Sequence, residues 1–158
     1  MASIKDYRDG SVLEGIRKML DFFETPPSPA GNGLKRKRLE RKIGKFEPRI
    51  LSLDQALEYI RNARVVALGE LVCRPLHPGS VYTESVFLDN LAREMIRLDR
   101  AKRASFEDAC KNLEKNARYP IIISKISGSY QEICSSVPSE CAYWTAEKNG
   151  IHCLNRQR

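Results

Sequence analysis

The sequence predicts a mainly α fold, with roughly four helices and a short C-terminal β or irregular region. Apolar residues recur at helical spacing in three stretches, all before residue 117, and Pro/Gly-rich segments separate them. Several of these stretches open with serine followed three residues later by an acidic or amide residue, which is typical of a helix N-terminus. One short β-branched run, IIISKI at residues 121–126, predicts a strand.

The first predicted helix covers residues 11–24 and makes up most of an N-terminal segment, residues 1–24. Ser11 and Glu14 fit a capping box at its start. The next nine residues, TPPSPAGNG, contain three prolines and two glycines. Proline lacks the amide hydrogen that a helix interior needs, so this segment is predicted to be a linker.

The linker continues into a basic arm, and the two together span residues 25–49. Between Lys35 and Arg49 there are eight basic and two acidic residues, which leaves a charge of +6. The whole chain has a formal net charge of +7, so the arm carries nearly all of the excess. A concentrated positive charge attracts a polyanion or a transport receptor.

Residues 50–158 are predicted to form a helical domain with a C-terminal strand and loop segment. One helical stretch, SLDQALEYIRNARVVALGELV at residues 52–72, opens at Ser52, where Gln55 completes a capping box. A second is expected from residues 83–85 onward, because apolar residues recur from there at helical spacing. A further helix is expected to begin at Ser105. After the predicted strand, we expect mainly irregular structure with room for one more short strand.

The basic arm has three interpretations. Its first four cations form the compact run that nuclear import receptors bind in extended form, and the preceding linker would keep it accessible. Alternatively, its cations neutralise phosphates and bind nucleic acid without reading its sequence. The third interpretation is a solvated helix face. The candidate contacts are Lys35, Arg36, Lys37, Arg38, Arg41, Lys42 and Lys45.

Two other patterns give weaker indications of function: a second group of basic residues and a set of possible phosphorylation sites. Arg93, Arg97 and Arg100 form a secondary basic stripe on a predicted helix, although acidic residues are interspersed. Thr25 and Ser28 each precede a proline, and phosphate there would oppose the neighbouring positive charge. Ser105 follows KRA and is a third phosphorylation candidate, or else a helix N-cap.

Metal and catalytic chemistry have little support. The weak metal candidate is Cys134, Cys141, His152 and Cys153, whose spacing lacks the paired knuckles of a zinc site. We therefore expect no metal, no cofactor and free cysteines in a reducing compartment, because MASIKDYRDG has no apolar signal segment. No P-loop, G-x-S-x-G or dinucleotide fingerprint occurs, so we expect a protein that is not an enzyme.

These features predict a small nuclear regulatory protein that binds nucleic acid non-specifically through the basic arm, RNA in preference to DNA. The general character suits a viral accessory or silencing-suppressor protein, which is an analogy and not a motif match. The alternative is a protein–protein adaptor in which the arm serves only for nuclear import. Expected partners are RNA, an import receptor and a homodimer or protein partner on the helical faces, with no membrane. The expected location is nuclear, or shuttling between nucleus and cytoplasm.

Overall fold

A computed structural model describes residues 1–24, 29–81 and 84–156. These residues form an α/β fold, so the predicted mainly α fold with four helices is wrong. The helices of the described part are α1 Ile4–Arg8, α2 Ser11–Glu24, α3 Pro29–Gly44, α4 Leu53–Asn62, α5 Asp89–Arg97, α6 Phe106–Lys115 and α7 Ala142–Lys148, with a 3-10 turn at Arg74–Leu76. The strands are β1 Arg49–Leu51, β2 Val66–Glu70, β3 Glu84–Leu88, β4 Ala101–Arg103, β5 Ile121–Ile126, β6 Ser129–Ser135 and β7 Asn155–Arg156.

The strands pair into one sheet in the order β4-β2-β3-β6-β5-β1-β7. Six of the described strands pair antiparallel, and the two-residue β7 joins β1 in parallel at one edge. The hairpin of β5 and β6 lies near the middle, so its side chains are covered on both faces. Strand β6 is the further strand that the prediction allowed, whereas helix α7 corrects the expectation of mainly irregular structure after it.

Helices cover both faces of the sheet. On the first face, α4 and α6 pack on a core that includes Ile60, Leu113, Ile123 and Ile133. On the second face, α1 and α5 pack on a core that contains Phe87. A third cluster on the second face joins α2, α3 and α7 through Met19, Ile43, Ala146 and Ile151. The second face is therefore the one that holds the basic helix.

The predicted helix from residues 83–85 onward is wrong at its start, because β3 occupies residues 84–88. Val86 and Leu88 pack on the first face and Phe87 packs on the second, so each consecutive side chain is buried. A strand buried on both faces gives a continuous apolar run, and helical periodicity cannot distinguish that run from a buried helix. The same reason explains β2, which follows α4 where a longer helix was predicted.

The helix starts predicted at Ser52 and Ser105 are confirmed, whereas the capping box predicted for Ser11 and Glu14 is wrong. Ser11 is the first residue of α2, its hydroxyl donates to the Asp9 carboxylate, and the Glu14 amide donates to the Gly10 carbonyl. The Ser52 hydroxyl accepts from the Gln55 amide at 3.2 Å, and the Gln55 side chain accepts from the Ser52 amide at 2.8 Å. Ser105 caps α6 by accepting from the Asp108 amide at 3.0 Å. Strand β5 covers the predicted residues 121–126. These signals depend on neighbours within the same segment, which is why sequence alone found them.

A Gly69→Ala substitution is expected to destabilise the fold by about 2 kcal/mol or more, because added volume between packed strands forces the backbone apart. A Cβ at Gly69 would lie 2.3 Å from the Arg100 carbonyl oxygen and 2.7 Å from the Ala101 Cβ. Denaturant unfolding measures the change. Gly15→Ala is the control, since its Cβ meets nothing within 4 Å and alanine favours a helix interior. Equal stability of the two variants would contradict the close approach of β2 and β4.

Candidate functional site

The residues predicted to be a basic arm lie in and just after helix α3, whose described part runs from Pro29 to Gly44. Successive residues of an α-helix turn by about 100°, so the five exposed cations within it cover an arc of about 160°. Lys45 follows one residue after the helix end, and its amide donates to the Arg41 carbonyl at 3.2 Å. The exposed cations are Lys35, Lys37, Arg38, Arg41, Lys42 and Lys45. We call this set the basic face of α3.

The opposite side of α3 anchors the helix to the protein. Ile43 is buried and Leu39 packs beside it in the cluster with α2 and α7. Arg36 differs from the other cations, because its guanidinium donates to the Asn149 carbonyl at the C-terminal end of α7. A cation there satisfies a carbonyl that the helix leaves unpaired and opposes the negative end of the helix dipole. Arg36 therefore positions α3 and leaves the cations of the basic face exposed.

Internal ion pairs do not compensate the basic face. Across residues 1–24, 29–81 and 84–156, no acidic side chain lies within salt-bridge distance of its six cations. Glu40 is the one acid on the same helix. Uncompensated charge of one sign on one surface raises the local concentration of oppositely charged ligands.

The secondary stripe of Arg93, Arg97 and Arg100 is partly neutralised within the protein. Arg97 pairs with Glu94 at 2.6 Å, and Arg8 pairs with the same carboxylate at 2.7 Å. The hydrogen bond from Arg97, and to a smaller extent the one from Arg8, lowers the pKa of Glu94 to about 2. Arg100 donates to the Tyr7 carbonyl at 2.9 Å. The stripe therefore presents fewer unpaired cations than α3 does.

The structure describes one of the three predicted phosphorylation sites, Ser105. Thr25 and Ser28 lie outside the described residues. Ser105 is exposed and caps α6, so phosphate there would replace a hydroxyl that already accepts from the Asp108 amide.

The weak metal candidates make separate contacts. The His152 side chain is exposed and pairs with Glu147 at 3.1 Å, whereas the Cys153 thiol faces the Tyr143 carbonyl at 3.7 Å. Cys134 is held by the Ser85 hydroxyl at 3.3 Å. Within the described part of the chain, no cluster of three or more His, Cys, Asp or Glu side chains is arranged to hold a metal ion.

A cavity of about 340 Å³ lies beneath α3 on the second face of the sheet, partly open to solvent. Its walls are mainly apolar, and they come from α1, α2, α3, α7 and the loop after β2. Representative wall residues are Ile16, Met19, Leu39, Phe46 and Val72. Lys42 and Lys45 of the basic face also line it. Mainly apolar cavities of this size with a few polar groups are typical of small-molecule sites.

Glu132 from β6 is the buried acid of this cavity. Its Oε1 accepts from the Tyr7 hydroxyl at 3.2 Å, while Oε2 is buried without a hydrogen-bond partner among the described residues. Burial raises the pKa of Glu132 to about 7, and the hydrogen bond from Tyr7 opposes this rise. Buried carboxyl groups prefer the neutral form because the charged form loses its hydration.

The groups around Glu132 share its buried setting. Burial raises the pKa of the Tyr7 and Tyr143 hydroxyls and of the Cys134 thiol well above their usual values, and Glu132 adds to each rise. Burial likewise raises the pKa of Cys141 to about 11. Neutral thiols are poor nucleophiles, so the cysteines of this cavity are suited to packing and not to attack on a substrate.

Sequence analysis missed Glu132 and Tyr7. A shift in strand register between Ser124 and Lys125 brings two consecutive β6 residues to the second face. Gln131 accepts from the Leu91 amide of α5, and Glu132 accepts from Tyr7 of α1. Simple alternation would place them on opposite faces. The one available signal was an acid followed by two apolar residues, Ile133 and Cys134, and this signal has meaning only once the segment SYQEICS is assigned as a strand.

Comparisons with known proteins identify no relative of this chain: no family model, no curated protein and no solved structure matches it. None of the helices among the described residues has the length and apolarity needed to cross a bilayer.

Proposed function

We propose that this chain binds nucleic acid through phosphate contacts made by the basic face of α3. The observation that carries the proposal is the set of six exposed cations on one surface without an ion pair among the described residues. Lys and Arg that neutralise phosphates release condensed counterions, and this release drives binding that is strong and blind to sequence.

The dimensions of α3 fit such a ligand. A helix of 16 residues is about 24 Å long at 1.5 Å per residue, and duplex DNA carries one phosphate charge per about 1.7 Å of its axis. One helix face therefore lies beside many phosphates at once. Packing through Leu39 and Ile43 holds the backbone of α3, so its cations lose little backbone freedom when a ligand binds.

The helical form of α3 favours nucleic-acid binding over import as the function of the arm. An import receptor that takes Lys35–Arg38 in extended form would have to unwind this part of the helix. In the helix these four side chains point in four directions, and Arg36 contacts Asn149. Phosphates along a groove need no such unwinding. A nuclear location stays part of the proposal, and import as the only function is the alternative.

A salt series on the wild-type protein tests the proposal. Binding of a labelled duplex DNA is measured by fluorescence anisotropy, and six contacts give a slope of log K against log salt of about −5. A single strand should give about −4. Duplex and single-stranded RNA of the same sequence test the expected preference for RNA. Absence of binding at about 50 mM salt would end the proposal, since phosphate contacts are strongest there.

A further inference from the structure

The cavity beneath α3 carries an inference that is independent of nucleic-acid binding. Glu132 lines it with only 8% of its surface exposed, and its Oε2 is buried without a hydrogen-bond partner among the described residues. A buried acceptor left unpaired costs free energy, and native proteins satisfy nearly all such groups. A ligand with a donor at this point would satisfy it.

The charges around Glu132 indicate which donor fits. The titratable groups that face it are Tyr7 of α1, Tyr143 of α7, Cys73 of the loop after β2 and Cys134 of its own strand. None of these groups is a cation. The other charged residues that line the cavity are Asp6, Glu140, Lys42 and Lys45. Neither lysine is within salt-bridge distance of Glu132, so an ionised Glu132 has no ion-pair partner among the described residues.

Aromatic rings add to the preference for a cation. Tyr7, Phe46 and Tyr143 line the same cavity, and the rings of Phe46 and Tyr143 are 6.5 Å apart at 68°. The face of an aromatic ring attracts an ammonium group, most strongly where water is excluded. A carboxyl group beside aromatic rings is a suitable environment for an organic amine.

We propose that this cavity binds a small apolar molecule that carries a primary amine, with its ammonium group on the Glu132 carboxylate and its apolar part against α2 and α3. At about 30 Å³ for each water-sized group, the cavity of about 340 Å³ holds roughly ten non-hydrogen atoms. The amine enters as an ammonium ion. A neutral Glu132 releases its proton to solvent as the ion pair forms, so charge is conserved.

Three probes of one skeleton test the head group: 3-phenylpropylamine, 3-phenylpropan-1-ol and 3-phenylpropanoate, each titrated calorimetrically at pH 7.5. We expect the amine to bind at least about tenfold more tightly than the alcohol, since a hydrogen bond to a charged group contributes that much. We expect no saturable binding of the carboxylate. Equal affinity for amine and alcohol, tighter binding of the carboxylate, or no binding of any probe would overturn the proposal.

Two amide variants locate the contact. Glu132→Gln should reduce amine affinity about tenfold and leave the alcohol unchanged, because the amide cannot form the ion pair. It retains an oxygen for the Tyr7 hydroxyl, and circular dichroism checks that it folds. Glu140→Gln removes another acid from the cavity wall and should leave amine affinity unchanged. Loss of affinity in Glu140→Gln but not in Glu132→Gln would show that the amine binds at Glu140 and not at Glu132, and would overturn the proposal.

Discussion

Removal of four cations from the basic face of α3 is expected to weaken nucleic-acid binding by about 3.6 decades at about 0.1 M salt, since each phosphate contact contributes about 0.9 decades there relative to 1 M salt. The four substitutions to alanine are at Lys35, Arg38, Arg41 and Lys42. Alanine has the highest helix propensity, and the anchors Leu39 and Ile43 stay in place, so α3 should persist. Anisotropy titration with a labelled duplex measures the loss.

The matched control removes four exposed cations from elsewhere. These are Arg64, Lys102, Lys111 and Lys115, which lie around α6, β4 and the end of α4. Both quadruple variants lower the formal net charge from +7 to +3. We expect the control to retain affinity within about tenfold of wild type, because long-range attraction from its cations is screened over about 10 Å at this salt concentration. Equal losses in the two variants would show that net charge, and not α3, governs binding.

Substitution of Glu132 by Gln is expected to stabilise the protein at high pH. The pKa of Glu132 is about 7 in the fold against a usual value of 4.5, so the folded state holds its proton more tightly than the unfolded state does. Below the unfolded pKa, both states are protonated and the carboxyl costs nothing. As pH rises through the folded pKa, ionisation of this buried group destabilises the fold by about 3 kcal/mol.

The glutamine variant keeps the neutral shape and cannot ionise. We expect its free energy of unfolding to exceed that of wild type by up to about 3 kcal/mol above pH 7 and to approach it below the unfolded pKa. Urea unfolding at a series of pH values measures the difference. Glu114→Gln, at an exposed position of α6, is the control and should follow the wild-type curve. A difference between Glu132→Gln and wild type that does not grow with pH would contradict a neutral buried carboxyl.

Much of the local structure was accessible from the sequence, whereas the sheet was not. Serine caps at Ser52 and Ser105 and the β-branched run of β5 act within a few residues, and the structure confirms them. Strands β2 and β3 pair with each other and owe their form to burial on both faces, which depends on helices far along the chain. A short apolar run does not by itself reveal whether it will form a helix or a strand.

The two candidate sites also differ in how much of each can be predicted from the sequence. Charge counting identified the positions of the basic face, but not that Arg36 turns inward to Asn149. The cavity depends on contacts between segments more than 100 residues apart, such as Tyr7 with Glu132. A register shift in the β5–β6 hairpin brings that acid to the second face, and no pattern in the residues themselves encodes it. Such sites require the tertiary structure.

The most direct test of α3 as the nucleic-acid contact is the salt slope of the two quadruple variants, measured on one labelled DNA duplex. A slope counts phosphate contacts independently of absolute affinity. We expect the α3 variant to lose about 3.6 from the magnitude of the slope, which is 0.9 for each of its four missing contacts. The control variant should keep the wild-type slope. An unchanged slope in the α3 variant would place the phosphate contacts elsewhere on the protein and contradict the proposed function of this helix.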